Sequence, residues 1–111
     1  MPADFDKVEK ITMRDVAQLQ RAEKSYGDSW RKRGGVGAFM MLARKWDRIE
    51  NQCKDNHYDI FGTIVDDPSE TGILDDIQDL RCYLLLVEEY GKRLIEELHD
   101  EHVAKYDMPP S

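Results

Sequence analysis

No apolar run in this sequence approaches the roughly 20 residues that a helix needs to cross a bilayer, so a membrane protein is not expected. Cysteine is scarce. Cys53 and Cys82 are the two present, and neither stands in a CxxC or other metal-ligand spacing, which speaks against a zinc module or a disulfide-stapled scaffold. Both lie beside apolar helix positions and are expected to be reduced and buried. Basic charge is in deficit: 16 Lys and Arg against 23 Asp and Glu give a formal charge of −7. Broad binding to DNA, which requires a basic face, is therefore not expected. There is no internal repeat, no Rossmann fingerprint, and no Ser, Cys or His with a visible partner arrangement for nucleophilic catalysis. The charge-dense start, Met1 to Lys10, lacks the apolar region of a secretory signal, so a cytoplasmic setting is the expectation.

What is present is a globular composition, 41% hydrophobic and 35% charged over 111 residues, enough for one modest core. A single all-helical domain over 1–111 is expected, with 1–9 and 106–111 flexible. A first helix is predicted from about Lys10 to Ser25, with Ile11, Val16 and Leu19 apolar, ending at the turn Tyr26-Gly27-Asp28-Ser29. In a second, Phe39, Leu42, Trp46, Ile49 and Cys53 recur at steps of three and four and predict a core stripe. Lys54 to Asp67 reads as a loop with one short helical turn. A third helix is predicted from a Ser69 N-cap to about His99, with Ile73, Ile77, Leu80, Leu84, Val87, Leu94 and Leu98 on one stripe and Gly91 as a place to kink or end. The expected architecture is a compact all-α bundle with one long C-terminal helix. The first two helices should pack on the two halves of that helix, or a second subunit should, and a dimer is expected.

Two carboxylate pairs stand out. Asp47 with Glu50 and Asp76 with Asp79 are each three apart, so each pair projects from one side of its helix, at the margin of the apolar stripe. Packed together, the helices would gather four carboxylates, with Asp75 as a fifth, a donor set suited to magnesium and a polyphosphate. The plain alternative is a solvated acidic face, with Asp75 and Asp76 favouring the helix dipole.

The basic residues lie apart from the acidic ones. Lys24, Arg31, Lys32, Arg33, Arg44, Lys45 and Arg48 concentrate in the first half, while Asp66 to Glu101 is dominated by Asp and Glu. Gly34, Gly35 and Gly37 follow three basic residues and lead into the second helix, a context where free N–H groups can receive an anion. It is no Walker loop, because Gly-Lys-Ser/Thr is missing, and a flexible connector is the alternative. Tyr26 and Trp30 are candidates for stacking on a base, although Trp30 also suits the core. His99 and His102 have a metal-like spacing but flank Asp100 and Glu101, and a solvated helix end is expected there.

Tyr26-Gly27-Asp28-Ser29-Trp30, Gly34-Gly35-Val36, the run Ala43 to Glu50 and the run Leu74 to Leu80 resemble the nucleotide modification associated domain proteins of phage and bacteria. More distantly they are similar to the MazG-like all-helical nucleotide pyrophosphatases. The likeness covers about Lys24 to Tyr90. It implies a magnesium-dependent (or manganese-dependent) hydrolase of nucleoside triphosphates, working as a homo-oligomer. Asp47, Glu50, Asp76 and Asp79 would bind metal and carry catalysis. Lys24, Arg44, Lys45, Arg48 and Arg81 would meet phosphate, with Tyr26, Trp30, Gly34, Gly35 and Tyr83 completing the substrate site. This sequence departs from the pattern in having Asp at three of the four carboxylate positions, and Lys45-Trp46 where a doubled acidic residue usually stands. Two other readings remain: a non-catalytic phage protein that sequesters a nucleotide or defence signal, in the host cytoplasm, and an acidic helical interaction protein.

Overall fold

A computed structural model describes residues 2–107, with side chains described for 2–25 and 27–101. The expectations placed on 108–111 and on the side chains of Tyr26 and His102 lie outside the described residues. The described chain is helical, without strands: α1 (Phe5–Tyr26), a 3₁₀ turn (Ser29–Arg31), α2 (Gly34–Lys54), α3 (Ile60–Asp66) and α4 (Ile73–Asp107). No helix among the described residues is long and apolar enough to cross a membrane.

The helix boundaries follow their caps. α1 begins at Phe5 rather than near Lys10, because the Asp4 carboxylate accepts the N–H groups of Asp6 and Lys7 and satisfies two donors of the first turn. It ends at Gly27, whose φ of 56° is the left-handed conformation that a side chain disfavours. The predicted loop Lys54–Asp67 contains α3, started by Asp59, whose carboxylate accepts from the Gly62 N–H. α4 starts at Ile73 and not after a Ser69 cap. The Ser69 hydroxyl instead bonds the Asp67 carboxylate in the turn before it. Gly91 leaves α4 uninterrupted, since helical φ and ψ are open to glycine at a modest entropic cost.

The core is small. Ile49 and Cys53 of α2 are buried against Ile73 of α4, with Ile60, Ile64, Ile77 and Leu80 packed around them. Only part of the predicted α2 stripe is in it: Phe39 and Trp46 are exposed. The face that α2 turns to α4 is rotated away from them, because Lys45, Arg48 and Gln52 each bond a carboxylate of α4. Both cysteines are buried and unbridged, as expected. Burial, helped by nearby Asp15, pushes the Cys82 thiol up to about 11, which leaves it protonated and unreactive.

α1 attaches differently. Asp15 is fully buried and receives both the Nε and the Nη2 of Arg81, the latter at 2.8 Å. Beyond it, α1 and α4 diverge around a groove of about 770 Å³ floored by Val16, Leu19, Met41 and Leu86, with Trp30 at its edge. α2 thus covers the first turns of α4 and α1 its middle, while Leu94, Ile95 and Leu98 remain exposed. The molecule is more elongated than the expected compact bundle: 68 × 32 × 29 Å, with a radius of gyration of 18.8 Å against about 13 Å for a compact chain of this length.

Replacing Asp15 by Ala is expected to lower the unfolding free energy by about 3 kcal/mol, because the Arg81 guanidinium is left facing a dry site. The Asp15→Leu/Arg81→Met double substitution should recover most of that loss. Denaturant titrations at one protein concentration check both, and a loss under about 1 kcal/mol in the single variant would show that the pair does not anchor α1.

Candidate functional site

On α2, Lys45, Arg48 and Gln52 succeed one another at steps of three and four, so they line one edge of the helix beside Ile49 and Cys53. On α4, Asp76 and Asp79 lie likewise between Ile73, Ile77 and Leu80. Packing the two apolar rows therefore sets a basic and amide row against an acidic one. Arg48 Nε donates to Asp76 Oδ1 at 2.7 Å, Gln52 Nε2 to Asp76 Oδ2 at 2.6 Å, and Lys45 Nζ to Asp79 Oδ2 at 2.9 Å. Gln52 also donates to the Arg48 carbonyl at 3.0 Å, which fixes its amide. Asp76 is 3% exposed. A carboxylate so removed from water is costly to bury without such partners.

Asp75 completes the acidic group. One carboxylate oxygen from each of Asp75, Asp76 and Asp79 lies within 4.8 Å of the others. Burial and the Asp79 and Asp76 carboxylates push the Asp75 pKa up, against the pull of Lys45 and Arg48. Two basic groups face three acids, so the cluster keeps an excess of negative charge. All-oxygen donors at this spacing fit a hard divalent cation.

The structure brings Asp76 and Asp79 together with Asp75, and does not bring Asp47 or Glu50 to them: among the described residues no larger acidic cluster forms. Asp47 and Glu50 are exposed. Asp47 lies about 200° around the helix from buried Ile49 and Glu50 about 100°, so the α2 face that meets α4 carries Lys45 and Arg48 instead. Four carboxylates in a half-dry seam would repel one another, whereas bases opposite acids do not. Gln52, the remaining partner of Asp76, escaped the sequence reading because an amide on a helix surface carries no pattern of its own.

The other candidates scatter. Arg81 is committed to Asp15, and Tyr83 lines the groove between α1 and α4. Lys24 and Arg44 are exposed, and neither bonds the acidic cluster among the described contacts. Gly34 and Gly35 are not a loop but the first turn of α2, Gly34 with φ of 73°. Arg33 at the cap position makes no side-chain cap bond. Trp30 packs edge-on to Tyr90 with centroids 6.0 Å apart, and the Arg31 guanidinium sits 4.3 Å from the Tyr90 ring centre while its Nη2 bonds Asp28 at 2.8 Å. Trp30 is thus half-buried against α4 at the edge of the groove and is not part of the Ile49–Cys53–Ile73 core. His99 is exposed, but on the body of α4, which continues to Asp107 instead of ending near His99 as expected.

No protein family, curated protein or solved structure matches the chain.

Folding disfavours the charged form of Asp75, so its contribution to stability is present below the ordinary carboxyl pKa of 3.8 and is lost as pH rises above it. Asp75→Asn is expected to melt above the parent near about pH 7, with the gap closing near about pH 3. A gap equal at both pH values would remove the like-charge account.

Proposed function

We propose that this chain is a divalent-cation-dependent nucleotide pyrophosphohydrolase, or a closely related nucleotide-processing protein, with magnesium or manganese held by Asp75, Asp76 and Asp79. The observation that carries this reading is the three-carboxylate cluster with Lys45 and Arg48 against it. The resemblance of Tyr26–Trp30 and of the runs around Asp47 and Asp76 to the nucleotide modification associated domain and MazG-like proteins supports it. A bound divalent cation would supply charge neutralisation for phosphate and a more acidic water. The chain's own part is positional: Lys45 and Arg48 neutralise the acids in their absence and offer their N–H donors to phosphate oxygens when the acids are otherwise engaged. Asp47 and Glu50, exposed on α2, have no share in that cluster. The uncapped first turn of α2, preceded by Arg31, Lys32 and Arg33, is a complementary place for a polyphosphate. A cytoplasmic location belongs to the same proposal.

One observation favours a second reading. Both oxygens of Asp76 and one of Asp79 already have protein partners, as they would in an acidic helical interaction protein whose ion pairs only lock α2 to α4. Metal-free sequestration of a nucleotide is a third outcome.

Incubation of the purified chain with magnesium and each nucleoside triphosphate is expected to release pyrophosphate from at least one of them. Asp79→Asn, helical and folded by circular dichroism, should lower that rate by about two orders of magnitude. Tight binding that survives EDTA without turnover would select sequestration. Neither turnover nor a thermal shift with any nucleotide or divalent ion would leave the interaction protein.

A further inference from the structure

Beyond the Asp15–Arg81 pair, α1 and α4 run on in the same direction with a groove of about 770 Å³ between them, a volume within the range of small-molecule sites. Its two ends differ in character. Val16 and Leu19 of α1 and Tyr83 and Leu86 of α4 line the end next to the pair. At 1.5 Å per residue, Glu23 lies about 12 Å beyond Asp15 along α1, and Glu89 about 12 Å beyond Arg81 along α4. Asp28 of the connector also lines the groove with them. The groove is thus apolar at one end and acidic at the other.

The bases near the acidic end are already engaged. Arg93, which lines the groove, has its Nε held by Glu89 at 2.7 Å, and Arg31 Nη2 is held by Asp28 at 2.8 Å. Both guanidiniums also lie on the Tyr90 ring, 5.3 and 4.3 Å from its centre. Lys32 lines a separate hollow beside Asp28 and Ser29. Arg21 and Lys24 leave α1 about 140° or more around the helix from Leu19, on its back. Glu23 has no ion pair among the described residues. Three acids therefore meet two engaged bases, and the charge left over is that of Glu23. The C-terminus of α1 adds to it, because the chain leaves the helix at Gly27 in the groove wall, where the dipole is negative. Trp30 and Tyr83 line the same groove and carry no cation among the described contacts. The face of such a ring attracts one.

An anion in this groove would face Glu23 and the negative end of α1, and an uncharged apolar molecule would leave the acidic end unmatched. We infer that the groove binds a small organic cation with an apolar body, an alkyl or aryl amine or a quaternary ammonium compound. The body lies on Leu19 and Leu86, and the head lies between Glu23 and Trp30. None of Asp75, Asp76 and Asp79 lines the groove, so this site stands apart from the metal reading and needs no metal.

Decyltrimethylammonium and decyl sulfate share one chain and differ in the sign of the head. Calorimetric titration of the full chain, below the micelle-forming concentration of either probe, is expected to show one cation bound per chain with a Kd of about 1 mM or tighter. Decyl sulfate is expected to bind at least about tenfold more weakly. Glu23→Gln, at an exposed position, should weaken the cation about fivefold without weakening decyl sulfate. Ala22→Phe, which fills the groove from α1, should abolish cation binding while the chain stays helical by circular dichroism. Decyl sulfate binding as tightly as the cation is adventitious apolar adsorption and overturns the inference. So does cation binding that is absent from the parent, that takes many probes per chain, or that is unchanged by either substitution.

Discussion

Asp76 is a carboxylate held almost out of water between two helices, and the register of the fold depends on keeping it paired. Removing such a group from solvent costs several kcal/mol unless its oxygens are taken up by well-placed donors. Arg48 and Gln52 take one oxygen each, and they do so from positions four apart on α2, so a single rotational setting of that helix serves both. The same setting drops Ile49 and Cys53 onto Ile73 and carries Lys45 to Asp79. A rotation of α2 by one residue, about 100°, would lose the apolar contacts and all three polar ones together. With so few apolar residues fully buried, apolar contact alone would specify that setting weakly.

The arrangement joins architecture to chemistry. Two of the three acids that could hold a cation, Asp76 and Asp79, are also the acids that hold α2 to α4. Asp75 is the member without such a partner: its carboxyl is pushed up by burial and by its neighbours. The excess negative charge of the cluster is centred there. A second ion pair, Asp15 with Arg81, does for α1 what Asp76 does for α2. Because it joins the middle of α1 to the third turn of α4, it leaves both the start of α1 and the end of α4 without cover. The length of the molecule and its bare leucines follow from where these two polar anchors sit.

The all-helical class, one long C-terminal helix and two buried thiols were legible in the sequence. Apolar recurrence at three and four residues and the near-absence of β patterning are local properties that need no partner to be read. Ile49, Cys53, Ile73, Ile77 and Leu80 were named correctly as inward-facing. Trp46 and Phe39 were not, since periodicity identifies a stripe to within one helical position, and polar residues at its edge, Lys45, Arg48 and Gln52, shift the face that is used. Local chemistry misled at two starts: Asp4 proved a stronger cap than apolar spacing suggested, and Ser69 bonded Asp67 instead of capping α4.

The sequence by itself determined that Asp76 and Asp79 project from one side of a helix at the edge of its apolar row, because three residues make nearly one turn. Only the tertiary structure decided what stands opposite them. That depends on the rotation of α2 about its own axis, which is set by the sum of its contacts with α4, and it placed Lys45, Arg48 and Gln52 there while turning Asp47 and Glu50 to solvent.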